Sequence, residues 1–201
     1  MTAGIRVSYE FPDNTYSVGK SNFWTYAQAL FSLNDPLPPN IGLTGKGLAG
    51  DMDLSGDHFE AVGIPLTEFS DSAPTTPDPY QLATVSVWDA ATDALLAQAR
   101  VVAPVSTEMR CDECHSDTGE ATVGEIPPTG KVETNILALH DKENMEDYPP
   151  GREGPLMDQR PVLCASCHAS NALGAPGVAG IPNLSNAMHG KHSEEGDIPA
   201  R

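Results

Sequence analysis

Basic residues are scarce in this 201-residue chain: 11 Lys and Arg stand against 28 Asp and Glu, a net charge of −17. A surface of that sign repels phosphate backbones, which excludes nucleic-acid binding. Long apolar runs are missing as well. No stretch approaches the roughly 18 consecutive apolar residues of a membrane-spanning helix, so no transmembrane segment is expected. Hydrophobic residues make up only 39% of the chain, whereas glycine and proline contribute 18 each. Turn formers are therefore abundant, although short of the level of a disordered chain. The length leaves room for one ordinary domain or two small ones. Cysteine is limited to four residues, and their placement is more informative than the bulk composition.

The four cysteines form two like patterns, Cys111-Asp-Glu-Cys114-His115 and Cys164-Ala-Ser-Cys167-His168, with none left over. C-x-x-C-H is the attachment signature of a c-type haem, and the chemistry explains the spacing. Two thiols three residues apart add across the two vinyl groups of one porphyrin as thioethers. The histidine next in sequence then lies under the iron as its proximal ligand. Other uses of paired cysteines fit less well. Zinc sites usually place about 15–20 residues between their C-x-x-C halves, whereas 49 lie between Cys114 and Cys164. A thioredoxin-like pair needs a βαβ context that is lacking around both motifs. A disulfide inside C-x-x-C closes a small, strained ring.

With His115 and His168 as proximal ligands, His58, His140, His189 and His192 remain for the sixth positions. An internal comparison narrows the choice. Asn135–Lys142 (NILALHDK) and Leu184–Lys191 (LSNAMHGK) superpose with His140 on His189 and Lys142 on Lys191. His140 follows His115 by 25 residues and His189 follows His168 by 21. This reads as a degenerate repeat of haem motif, Gly/Pro-rich loop and histidine-bearing helix. Val132, Ile136, Leu139 and His140 form one apolar stripe on the first helix. The repeat assigns His140 to the haem of His115 and His189 to that of His168. The competing arrangement is crossed, with His140 reaching the second haem over Arg160-Pro161-Val162-Leu163. His192, on the face adjacent to His189, is left for a neighbouring haem. His58 reads as solvated or structural, and methionine is a weaker competitor as sixth ligand.

Residues 1–106 have a different character. Ile5, Val7 and Tyr9 alternate with polar neighbours, as do Met52 with Leu54 and Val85 with Val87. Residues 81–89 and 94–103 predict a hairpin around Ala90-Ala91-Thr92-Asp93, and residues 22–33 a helix with Asn22 as its cap. The fold class expected is mixed: a small β-sandwich-like domain over 1–106, then a loop-rich, haem-nucleated segment with short helices over 107–201. That second segment is too poor in hydrophobic residues to form a core without a cofactor. Gly45-x-Gly47-x-x-Gly50 matches the dinucleotide fingerprint in letters only. Pro38-Pro39 precedes it and strand-like residues follow, where the fingerprint needs a strand before and a helix after.

CDECH and CASCH, followed by histidine-bearing helices and the run LSNAMHGKH, resemble a multihaem c-type cytochrome of the bacterial electron-transfer kind over roughly residues 104–201. The strand-rich first half looks like the β domains that some larger multihaem cytochromes carry. The resemblance implies two haem c groups with their iron, bis-histidine ligation and closely spaced haems. It also implies a periplasmic or extracellular, cell-surface location, and redox partner proteins, other multihaem cytochromes among them. MTAGIRVSYE lacks the charged start and apolar stretch of a secretory signal, so a mature form or a fragment of a longer multihaem protein is expected. Two functional classes follow. One is an electron carrier with both irons six-coordinate. The other is an oxidoreductase with one open iron acting on a small nitrogen or sulfur species. The supply of spare histidines and the acidic surface favour the carrier.

Overall fold

The alternation at Ile5, Val7 and Tyr9 becomes strand β1 (Ile5–Glu10), with Val7 and Tyr9 buried. It is central to a four-stranded antiparallel sheet of order β2-β1-β5-β6, where β2 is Ala49–Asp51, β5 is Tyr80–Asp89 and β6 is Leu95–Pro104. Strands β3 (Asp53–Ser55) and β4 (His58–Glu60) make a separate two-stranded ribbon. The structure is a computed structural model that describes residues 4–193. Its chain divides into two compact units, Met1–Glu108 and Met109–Arg201. Among the described residues no helix is long and apolar enough to cross a membrane.

The first unit has a small core of Tyr9, Phe11, Leu48 and Ala83, with Met52, Ile64, Leu66 and Ala103 packed against it. Tyr9 keeps its polar tip satisfied by donating from Oη to the Gly47 carbonyl at 2.9 Å. The glycine-rich run therefore serves as a turn leading into strand β2, not as a nucleotide loop opening a helix. Loops are pinned to this core by buried polar side chains. Asn14 donates to the Thr67 carbonyl (2.8 Å) and to Gln81 Oε1 (3.2 Å), and Ser17 donates to the Pro65 carbonyl.

The hairpin β5–β6 turns at Asp89, whose Oδ1 accepts from the Ala91 and Thr92 amides and the Thr92 hydroxyl. This carboxylate-centred turn is a local reason for the reversal. Helix α1 (Phe23–Leu30) buries Ala27. Asn22 occupies the cap position but its side chain makes no cap hydrogen bond; Ser21 Oγ accepts from the Phe23 amide instead. The backbone at Asn22 (φ −90°, ψ 8°) lies outside the extended region a capping side chain needs.

The second unit contains helices α2 (Cys111–His115), α3 (Val132–Asn144) and α4 (Leu184–His192), joined by loops and 3-10 turns. The molecule is thus mixed α/β, with a four-stranded sheet, a two-stranded ribbon and four short helices among the described residues. Helix α3 is anchored differently from the expected apolar stripe. Its buried residues are Asn135 and Asp141, whereas Ile136 is 38% exposed. Asn135 donates to the His115 carbonyl (3.0 Å) and Asp117 Oδ1 (2.9 Å), and accepts from the Thr129 amide and hydroxyl. Asp141 accepts from the Leu156 and Met157 amides at 2.7 and 2.9 Å. Polar clamps thereby hold α3 at its two buried positions.

Candidate functional site

The first C-x-x-C-H motif forms helix α2, so Cys111, Cys114 and His115 share a single turn and a half of backbone. Arg110 pairs with Asp112 (3.2 Å) and Glu113 (2.6 Å) at its start. The second motif is less regular: Cys164–Ser166 is a 3-10 turn, and Cys167 follows it. Arg152 donates to Ser166 Oγ at 2.7 Å, and Ser166 Oγ to the Leu163 carbonyl at 2.7 Å. No disulfide joins any of the four cysteines.

Close backbone contact shapes the loop after each motif. The Ala121 amide donates to the Cys114 carbonyl (3.0 Å), and the Val178 amide to the Cys167 carbonyl (2.8 Å). Each return needs a glycine. A Cβ on Gly119 would stand 2.2 Å from the Cys114 carbonyl oxygen. One on Gly177 would stand 2.3 Å from the Ala169 amide nitrogen, and Gly177 also has φ +65°. Only glycine tolerates both the contact and the left-handed backbone.

The histidines gather in two pairs. The ring centres of His115 and His192 are 6.3 Å apart with planes at 76°, and those of His140 and His168 are 6.2 Å apart at 82°. This differs from the pairing read off the repeat. His140 lies opposite the histidine of the second motif, and His192, not His189, accompanies His115. His189 approaches Ser185 Oγ with its Nδ1 at 3.5 Å and enters neither pair. His58 is exposed on β4 beside Asp57 and Glu60.

Centre-to-centre distances of this size are those that two imidazoles would take on either side of one metal ion, about 6.4 Å for metal–nitrogen bonds of about 2.0 Å. Hydrogen bonds also fix which ring nitrogen carries the proton in His168 and His192. His168 Nδ1 is 2.8 Å from the Pro182 carbonyl and His192 Nδ1 is 2.7 Å from the Met188 carbonyl. Carbonyl oxygens only accept, so both Nδ1 atoms carry the proton and Nε2 keeps the lone pair. His140 Nδ1 meets Tyr148 Oη at 2.9 Å, and Tyr148 in turn donates to Asp141 Oδ1 at 2.6 Å. Burial, then the hydrogen bond to Asp141, raises the Tyr148 phenol above its ordinary value and keeps it protonated. Burial also lowers His115 and His140, with the neighbouring His192 and His168 adding to the effect. Neutral imidazole is the form that ligates a metal.

The donor set narrows the chemistry. Among the described residues no group of three or more His, Cys, Asp or Glu side chains could hold a bare ion. Two imidazoles are what an iron requires from the protein when a porphyrin supplies its four equatorial nitrogens. Each pair contains the histidine of one C-x-x-C-H motif, so the residues fit a covalently held haem at each.

Sequence reasoning missed three residues here: Asn135, Asp141 and Tyr148. Asn135 and Asp141 lie on α3 beside the stripe of Val132, Ile136, Leu139 and His140, where polar residues carry no periodic signal. Tyr148 lies beyond the helix in a Pro-rich turn, where no periodicity points to it. Comparison with family models, curated proteins and solved structures finds no match to this chain.

Proposed function

We propose that residues 109–201 carry two covalent c-type haems, each with two axial histidines, and that the protein transfers single electrons between redox proteins. One haem is held by Cys111, Cys114 and His115 with His192 as sixth ligand. The other is held by Cys164, Cys167 and His168 with His140. When bound, a haem supplies a one-electron ferric/ferrous couple, with no bond made or broken in the protein. The observation that carries this reading is the pair of imidazole spacings, 6.3 and 6.2 Å, each containing one motif histidine.

The chain's own residues supply the rest. His115, His140, His168 and His192 would hold the two irons, two imidazoles to each, a ligand supply that favours a carrier over an oxidoreductase with an open iron. Glycine-bearing loops after each motif and the polar clamps at Asn135 and Asp141 hold the histidine helices in place. Half-exposed apolar positions of α3, such as Ile136, give porphyrin something to cover, in keeping with a segment whose fold is nucleated by haem. A small sandwich-like β domain precedes it. A net charge of −17 suits partners with a basic face. Haem attachment through C-x-x-C-H accords with a periplasmic or cell-surface location. Visible spectra of the oxidised and reduced protein test the reading. Two low-spin, six-coordinate c-type haems are expected, and a high-spin or absent haem signal contradicts it.

A further inference from the structure

The four histidines of the two pairs are not equivalently supported. His168 and His192 each donate from Nδ1 to one neutral carbonyl, of Pro182 and Met188. His115 Nδ1 is buried and has no protein partner among the described residues. Among the described residues, His140 is the one of the four linked to a carboxylate. Asp141 is buried, and Oδ1 accepts from Tyr148 Oη and the Leu156 amide while Oδ2 accepts from the Met157 amide. With three donors converging on it, Asp141 acts as an acceptor only, so the phenolic proton of Tyr148 points to it. The Tyr148 oxygen is then left to accept from His140 Nδ1 at 2.9 Å. The direction of the chain is fixed: imidazole N–H to phenol, phenol O–H to carboxylate.

We propose that Tyr148, oriented by Asp141, is a positioning residue for His140 that holds the haem of Cys164 and Cys167 at a lower potential than the haem of Cys111 and Cys114. The inference rests on the di-haem reading above. Its physical basis is that an acceptor on the distal ring nitrogen makes the other nitrogen a stronger donor. A nearby carboxylate strengthens that acceptor through a charge-assisted hydrogen bond. A more electron-rich ligand, with a negative charge behind it, favours ferric over ferrous iron. Among the described residues, the counterpart haem would have the Met188 carbonyl behind His192 and no partner behind His115. The difference in support behind the ligands would lower the potential of the haem that His140 holds relative to the other.

The test is a redox titration, with electron paramagnetic resonance, of the haem-loaded full chain carrying Tyr148→Phe. This variant keeps the ring, which lies tilted at 32° against His140, and removes only the hydroxyl. The expected result is that one couple shifts toward ferrous iron by about tenfold, or about 59 mV for one electron, while the other stays in place. Resonances of one low-spin haem should move with it. Asp141→Asn removes the charge while keeping an acceptor for the phenol, and should move the same couple in the same direction. If Tyr148→Phe does not retain two haems, Asp141→Asn decides by the same criterion. Two haems with neither couple moved, or both moved together, would overturn the role of Tyr148. A wild-type chain whose mass in denaturant includes no haem would overturn the di-haem reading itself.

Discussion

The imidazoles of His140 and His168 stand 6.2 Å apart, centre to centre, with planes at 82°, although they come from opposite halves of the second unit. The His115–His192 pair encloses them in sequence, since it joins the first motif to the end of α4. The two pairs are nested. Each motif histidine thus has as its neighbour a histidine from the helix that follows the other motif.

Nesting predicts which substitutions share an effect. His140→Met should alter the same iron as a His168 variant, raising its potential and removing its bis-histidine resonance signature. His192→Met should alter the other iron, together with His115 variants. Electron paramagnetic resonance of the four variants checks this. His140 grouping with His115 would restore the same-repeat arrangement. His189→Ala should leave both signatures unchanged, because His189 belongs to neither pair.

Asn135 should be among the residues most costly to remove from the second unit. Asn135→Ala deletes its bonds to the His115 carbonyl, Asp117 and Thr129 and leaves buried polar groups unpaired. The expected loss is about 2–3 kcal/mol. Urea unfolding followed at the haem absorbance measures it. Both tryptophans, Trp24 and Trp88, lie in the first unit, so the fluorescence transition should not move.

Gly177→Ala places a Cβ at 2.3 Å from the Ala169 amide on a backbone of φ +65°. The left-handed conformation alone costs about 1–2 kcal/mol for an ordinary residue, and the overlap forces the loop off the second motif. Thermal denaturation followed at the haem absorbance should show a lower midpoint. An unchanged midpoint would mean that the loop does not pack as described.

The first unit should lose stability in acid through Asp71. Its carboxyl is opposed by burial but held below the ordinary range by hydrogen bonds from Lys20 and Thr15. A depressed folded value means that the contribution is present above the unfolded value of about 3.9. It is lost as pH falls through the folded value. Tryptophan-monitored unfolding at pH 6 and below pH 4 should show the loss, and Asp71→Asn should flatten it.

Much of the scaffold is legible in the residues. The two C-x-x-C-H motifs, the β5–β6 hairpin and helices α1, α3 and α4 are all local signals, written in spacing, alternation and turn chemistry. The pairing of histidines is not local. Aligning His140 with His189 ranks residues by their place in the repeat, whereas the partner of an imidazole depends on how the chain returns. That return is set by contacts such as Asn135 to His115 and Asp141 to Leu156, made by polar side chains with no periodic signature. The stripe containing Ile136 misleads for the same reason: clamps, not apolar burial, orient α3.

The proposed function requires two covalently attached haems, one at Cys111/Cys114 and one at Cys164/Cys167. Intact mass in denaturant tests it most directly, on protein from a host with working haem-attachment machinery. The expected mass is that of the polypeptide plus two haems, falling by one haem when either cysteine pair is changed to alanine. A mass equal to the unmodified polypeptide would contradict it.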